Sequence, residues 1–112
     1  MISKKTDNYT VIQPSDSIDN SSINILEFRK ELIKKYAIFK NDNLILDFSN
    51  SFNIKSDEIL LFSQLAMDHN NNNKSFVIVS TGFDIDEIMV VPTFKEAEDV
   101  IELEEIERDL GI

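Results

Sequence analysis

Three short, nearly unbroken apolar runs limit most strongly what this chain can become: Leu44-Ile45-Leu46-Asp47-Phe48, Phe76-Val77-Ile78-Val79 and Ile88-Met89-Val90-Val91. A strand with one face in water alternates apolar and polar residues. Runs without that alternation require burial on both faces, the situation of central strands in a sheet sheltered by helices. The intervening segments have the matching helical period. Ile25, Phe28, Leu32 and Tyr36, flanked by Leu26 and Ile33, recur at three-and-four spacing ahead of the first run. Between the first and second runs, Ile59, Leu60, Phe62, Leu65, Ala66 and Met67 supply the apolar side of a second helix.

The ends of these elements are marked. Asn24 with Glu27 three residues on is a candidate N-cap, with Ser21 and Ser22 as alternatives. Ser56 offers an N-cap for the second helix, with Asp57 and Glu58 in the first turn, where the helix dipole favours negative charge. Asn70 to Asn73 form a polar loop. Near the start, Tyr9 to Gln13 is β-branched and stops at Pro14, so it reads as a strand, and Ile2 to Lys5 pairs with it across Thr6-Asp7-Asn8. The last helix opens on a Thr93 to Glu96 capping box behind Pro92 and stops at Gly111. The order is strand, strand, helix, strand, helix, strand, strand, helix. It predicts a single α/β domain over 1–112, with a small mixed sheet of four to five strands, about three helices and an acidic C-terminal helix. A chain of 112 residues supports one core.

Composition then removes chemistry. Against 11 Lys and Arg stand 21 Asp and Glu, a formal net charge of -10, which repels phosphate backbones and anionic lipid. Nucleic acid and membrane surface are therefore not expected as partners. No apolar run approaches the ~20 residues of a membrane span, and the first eight residues lack the apolar core of an export signal, so the cytoplasm is the expected location. With no Cys, disulfides, thiolate nucleophiles and Cys-type zinc sites are gone, and a single histidine, His69, cannot build a His-rich metal centre. Next to the Asn run, His69 reads as a solvated residue at a helix end, not as a catalytic base. Gly82 and Gly111 are the only glycines, too few for a glycine-rich phosphate cradle. No cofactor is implied.

The stretch from Tyr9 to Leu65 resembles a STAS domain, the fold shared by anti-sigma factor antagonists and the cytoplasmic tails of sulfate transporters. Val11 and Ile12 are similar to its second strand, Ile18-Asp19 with Ser21-Ser22 to the start of its first helix, and Leu46-Asp47-Phe48-Ser49 to its Leu-Asp-Leu-Ser strand end. The family continues as Ile-Asp-Ser-Ser-Gly-Leu, and its second serine is phosphorylated to switch partner binding. Here the matching residues are Ile54-Lys55-Ser56-Asp57-Glu58-Ile59. The switch serine falls on Asp57 and its neighbour on Ser56, while the family's Asp and Gly fall on Lys55 and Glu58. The apolar pattern survives and the phosphorylatable chemistry does not. Asp57 offers one negative charge where phosphoserine carries nearly two. The resemblance implies a non-enzymatic, regulatory protein-interaction module of the bacterial cytoplasm without the standard serine switch.

Two segments do not follow simple rules. Only Ser80 to Glu87 separate the second and third apolar runs, whereas a parallel crossover needs about a dozen residues. The expectation is a compressed crossover. In the last helix, at 100° per residue, Phe94, Ala97 and Ile101 cluster on one side, with Leu103, Ile106 and Leu110 roughly opposite. Either the helix bends so that both sets fold onto one core, or the second set is offered to a partner or to a second copy of the chain. The expected partner-binding residues are therefore Lys55, Ser56, Asp57 and Glu58, from the resemblance, and Leu103, Ile106 and Leu110, from periodicity. The partner is another protein, or the chain itself in a homodimer through the C-terminal helix. The competing reading is a small metal-dependent hydrolase using the carboxylates of Asp84, Asp86 and Glu87, although their spacing lacks a full calcium-loop pattern.

Overall fold

The sheet is built from the predicted runs. In the computed structural model, whose described residues are 1–14, 24–49, 54–81 and 88–111, five strands lie side by side in chain order. β1 (Ile2–Lys5) and β2 (Thr10–Gln13) form an antiparallel hairpin, and β3 (Leu44–Asp47), β4 (Phe76–Val79) and β5 (Met89–Val91) all continue parallel to β2. Between β2 and β3 lie α1 (Ile25–Lys34) and α2 (Tyr36–Phe39); between β3 and β4 lie α3 (Ser56–Leu60) and α4 (Ser63–Asn71). α5 (Phe94–Leu110) follows β5. The α/β class and the mixed sheet are as the sequence predicts. No helix among the described residues is long and apolar enough to cross a membrane.

Strand pairing sorts the core into two layers. The row Ile12, Leu46, Ile78 and Val90 crosses the sheet on one face; the next row, Val11, Ile45, Val77 and Met89, points to the other. The first face packs on Ile25, Phe28 and Leu32 of α1, Phe39 of α2, Ile59 of α3 and Ala66 of α4. The second packs on Ala97 and Ile101 of α5. All four residues of β4 are fully or almost fully buried, as an unalternating run demands. Two crossovers of the same hand that advance in the same direction leave their helices on one face. Among the described helices only α5, which follows the last described strand, covers the other.

Both predicted crossover helices are broken once. Lys35 interrupts the first, its backbone N–H reaching back to Glu31 and Ile33. Leu61 and Phe62 interrupt the second, and the break delivers Phe62 into the core. There its ring meets Phe28 and Phe48 at centroid distances of 6.1 and 5.8 Å, and Phe28 meets Phe48 at 5.5 Å. Asn24 caps α1 as expected, its Oδ1 accepting the Glu27 N–H at 3.1 Å, and Thr93 caps α5 through the Glu96 N–H at 3.2 Å. Gly111 closes α5 with φ +72°, a left-handed position that favours glycine. Ser56 is not a cap. The cap position is Lys55, whose backbone N–H donates to the Glu58 carboxylate at 2.9 Å, so Ser56 is the first helical residue. The parallel pairing of β4 with β5 fixes the direction of the last strand and makes its connection shorter than the usual crossover; residues 82–87 of that connection lie outside the described residues.

The aromatic trio supplies the first test. Phe62→Ala removes a fully buried ring, and its cost in urea-induced unfolding is expected to be about 3–5 kcal/mol. Exposed Leu60→Ala, two residues away, is expected to stay within about 0.5 kcal/mol of the parent apart from a small helix-propensity change.

Candidate functional site

α5 is one continuous helix of 17 residues, so the change of apolar side in the sequence is not resolved by a bend that folds the second set onto the core. It is resolved by chemistry. In the first half, the positions facing the sheet are Ala97 and Ile101, both buried. In the second half, the equivalent positions are Glu104, Glu105 and Arg108, and what they meet is polar. Asn43 and Ser75, each immediately before a buried strand, are themselves 5% and 0% exposed. Asn43 Nδ2 donates to Glu105 at 2.8 Å and to the Asn8 carbonyl at 3.0 Å; its Oδ1 accepts the Ser75 N–H at 2.9 Å. Arg108 donates to Ser75 Oγ at 3.1 Å, to Glu105 at 2.9 Å and more weakly to Asn43 Oδ1 at 3.3 Å, and Ser75 Oγ donates to Glu104. Hydrogen bonds from Asn43, then from Arg108, hold the Glu105 carboxyl below the usual carboxylate range. Among the described residues no buried side-chain nitrogen or oxygen lacks a partner.

Because the inner side of α5 is fully used, Leu103, Ile106 and Leu110 point outward, at 57%, 49% and 68% exposure. Eight carboxylates against two cations lie along the same helix. Beside the stripe, between α5 and the β1–β2 turn, runs a groove of about 640 Å³ whose walls include Tyr9, Asp42, Lys74, Glu102 and Ile106. Tyr9 links the two sides: its hydroxyl donates to Glu98 at 2.7 Å and its ring stands edge-on to Phe94. Burial, reinforced by the Glu98 carboxylate, pushes the Tyr9 hydroxyl pKa up. Among the described residues no three acidic or histidine side chains converge closely enough to hold a metal ion.

On the opposite face of the sheet, His69 corrects the expectation of a solvated helix end. It is 0% exposed. Its Nε2 lies 2.6 Å from the Asp42 carbonyl, which can only accept, so Nε2 carries the proton and Nδ1 accepts from the Tyr36 hydroxyl. The ring packs edge-on against Phe76. Burial pushes the His69 pKa down, with the Asp42 carbonyl partly opposing it. Both ring nitrogens are occupied in an apolar setting, which makes His69 a brace between α4 and the start of β3.

The residues predicted from the resemblance sit elsewhere. Lys55, Ser56 and Asp57 are exposed and Glu58 half-buried at the start of α3, on the face of the sheet opposite α5. α3 follows β3, so this corner lies at the carboxyl end of the parallel strands. The second half of α5 reaches their amino end, where Asn43 and Ser75 lie. The two predicted regions therefore do not form one surface. Asp84, Asp86 and Glu87, with Ile18, Asp19, Ser21 and Ser22, lie outside the described residues. The polar inner half of α5 was not foreseen, although a signal existed: the same 100° spacing that groups Ala97 with Ile101 adds Glu104, Glu105 and Arg108 to that side.

Compared with known proteins, the chain matches no family model and no curated relative.

Two measurements probe these networks. Asn43→Ala leaves the buried Ser75 N–H without its partner, and it is expected to lower unfolding free energy by about 1–3 kcal/mol. For His69 the folded pKa is depressed, so the unfolded chain takes up the proton first as pH falls. Its contribution to stability is complete above the ordinary histidine range near pH ~6.5 and is lost as pH drops through that range toward the folded pKa. Unfolding free energy measured between neutral pH and pH ~5.5 should fall with a slope of up to about 1.4 kcal/mol per unit, and His69→Gln should flatten that slope.

Proposed function

We propose that this chain is a non-enzymatic protein-interaction module of the bacterial cytoplasm, regulatory in the manner of STAS domains, whose docking face is the outer side of α5. One observation carries the reading: Leu103, Ile106 and Leu110 are turned outward together on a helix whose inner side is complete. Large apolar side chains at positions i, i+3 and i+7, rimmed by Glu102, Glu107 and Asp109, suit a helix-in-groove or helix-on-helix contact with a partner that is apolar in the middle and basic at its edges. The carboxylates select that partner by attraction and discourage acidic ones.

The corner at Lys55 to Glu58 is the second element of the reading and rests on the family resemblance. An exposed Asp57 at the first turn of α3 places a carboxyl side chain where the family has a switchable serine, which supports a module without that switch. The hydrolase reading depends on Asp84, Asp86 and Glu87, which lie outside the described residues.

The experiment compares wild type with the double variant Ile106→Asp, Leu110→Asp as bait in repeated captures from native lysate, alongside thermal unfolding of both. The expected result is a specific set of proteins held by wild type and lost by the variant, with a melting temperature unchanged to within a few degrees, as for exposed positions. An identical set on both baits, or a variant that no longer folds, overturns the reading.

A further inference from the structure

The two faces of the sheet differ in charge as well as in cover. Between residues 25 and 40, the α1–α2 segment carries Arg29, Lys30, Lys34, Lys35 and Lys40 against Glu27 and Glu31, nearly half of the cations of the whole chain. α5, on the other face, carries eight carboxylates and two cations. The basic face also has its own outward apolar groups. Leu26 and Ile33 are 56% and 45% exposed and lie seven residues apart on one strip of α1, with Arg29 on one side of that strip and Lys30 on the other. The Arg29 guanidinium donates to the Leu61 carbonyl at 2.8 Å and so brings the half-exposed Leu61 into the same surface.

We propose that the α5 face docks on the α1 face of a second copy, so that successive copies associate head to tail through opposite faces of their sheets. The inference deepens the reading of α5 as a docking face and rests on it. The partner it names meets both requirements of that face: apolar side chains in the middle, cations at the edges. A symmetric contact of α5 with α5 would set eight carboxylates against eight, whereas the head-to-tail contact sets Glu102 and Asp109 toward lysines and arginine. The formal charge of -10 makes any two copies repel at long range, but at physiological ionic strength the screening length is about 8 Å and contact-range pairing decides. α5 is about 26 Å long at ~1.5 Å per residue, and one helix face of that length covers less than the ~800 Å² per partner of a standard interface. The association is therefore weak and concentration-dependent. Since each copy keeps one free face of each kind, growth continues past the dimer unless a ring closes.

Sedimentation velocity of the full chain, from micromolar to millimolar concentration, tests this with two blocked variants. Leu26→Asp, Ile33→Asp blocks the α1 face and Ile106→Asp, Leu110→Asp blocks the α5 face. Wild type is expected to form species larger than a dimer as concentration rises, each variant alone to remain monomeric, and an equimolar mixture to form a heterodimer that grows no further. The charge variants Lys30→Glu, Lys34→Glu and Glu102→Lys, Asp109→Lys, all at exposed positions, keep the test valid if Leu26→Asp, Ile33→Asp fails to fold. Each pair alone is expected to weaken association about tenfold, equivalent to ~1.4 kcal/mol, and the mixture to recover it. A wild type that stays monomeric overturns the proposal, as does a mixture that does not associate. Dimers formed by the α1-blocked variant alone would point to a symmetric α5 contact and overturn it too. In lysate capture, partners held through α5 by a chain that does not self-associate would preserve the docking reading while the self-docking one fails.

Discussion

The side-chain amide of Asn43 is the point on which the far side of this molecule depends. Placed just before β3, it donates to the Asn8 carbonyl ahead of β2, accepts from the Ser75 N–H ahead of β4, and donates to Glu105 of α5. One planar group therefore joins three adjacent strand starts and the helix that covers them. Asn43 and Ser75 are themselves buried, so the bond between them has more weight than it would in water, and its loss leaves a desolvated N–H behind. Without this cluster the second half of α5 would place Glu104, Glu105 and Arg108 over the end of the sheet with nothing to receive them. The helix would then have to roll, and rolling would carry Leu103, Ile106 and Leu110 inward. The polar inner half and the apolar outer stripe are two sides of one arrangement.

That arrangement also places the charge. The deficit of cations across the chain is not uniform: α5 holds eight of its 21 carboxylates, and the α1–α2 segment five of its 11 cations. Because α5 alone among the described helices covers the second face of the sheet, its acidic surface and the basic surface of the α1–α2 segment are separated by the full thickness of the sheet and cannot neutralise one another within one copy. The chain thus keeps a strongly directional surface charge, which is the property that protein recognition uses.

Much of this was legible in the residues. The unalternating runs Leu44 to Phe48 and Phe76 to Val79 announced buried central strands, because no other setting tolerates apolar groups on both sides. Asn24, Thr93 and Gly111 marked helix ends through local chemistry that needs no tertiary context. What was not legible depends on distant partners. His69 looks solvated beside an Asn run, yet Tyr36 and the Asp42 carbonyl, 33 and 27 residues away, satisfy both ring nitrogens inside the core. Ser56 has the composition of a cap but not the position, since Glu58 already serves the Lys55 N–H. The break at Leu61 and Phe62 follows from the Phe28, Phe48 and Phe62 contacts, which periodicity within one segment does not contain. The outward residues Leu103, Ile106 and Leu110 were found from spacing alone, but their exposure depends on the polar positions between them having partners on Asn43 and Ser75.

The orientation of α5 is therefore the claim on which the account turns, and its most direct measurement is the exposure of individual methyl groups to a soluble paramagnetic probe in dilute solution. The account predicts strong relaxation enhancement at the methyls of Leu103, Ile106 and Leu110 and protection of those of Ile101, Val77 and Val79. Methyls of Ile106 and Leu110 as protected at high dilution as those of Ile101 would mean that the helix folds its outer stripe onto its own domain, and would contradict it.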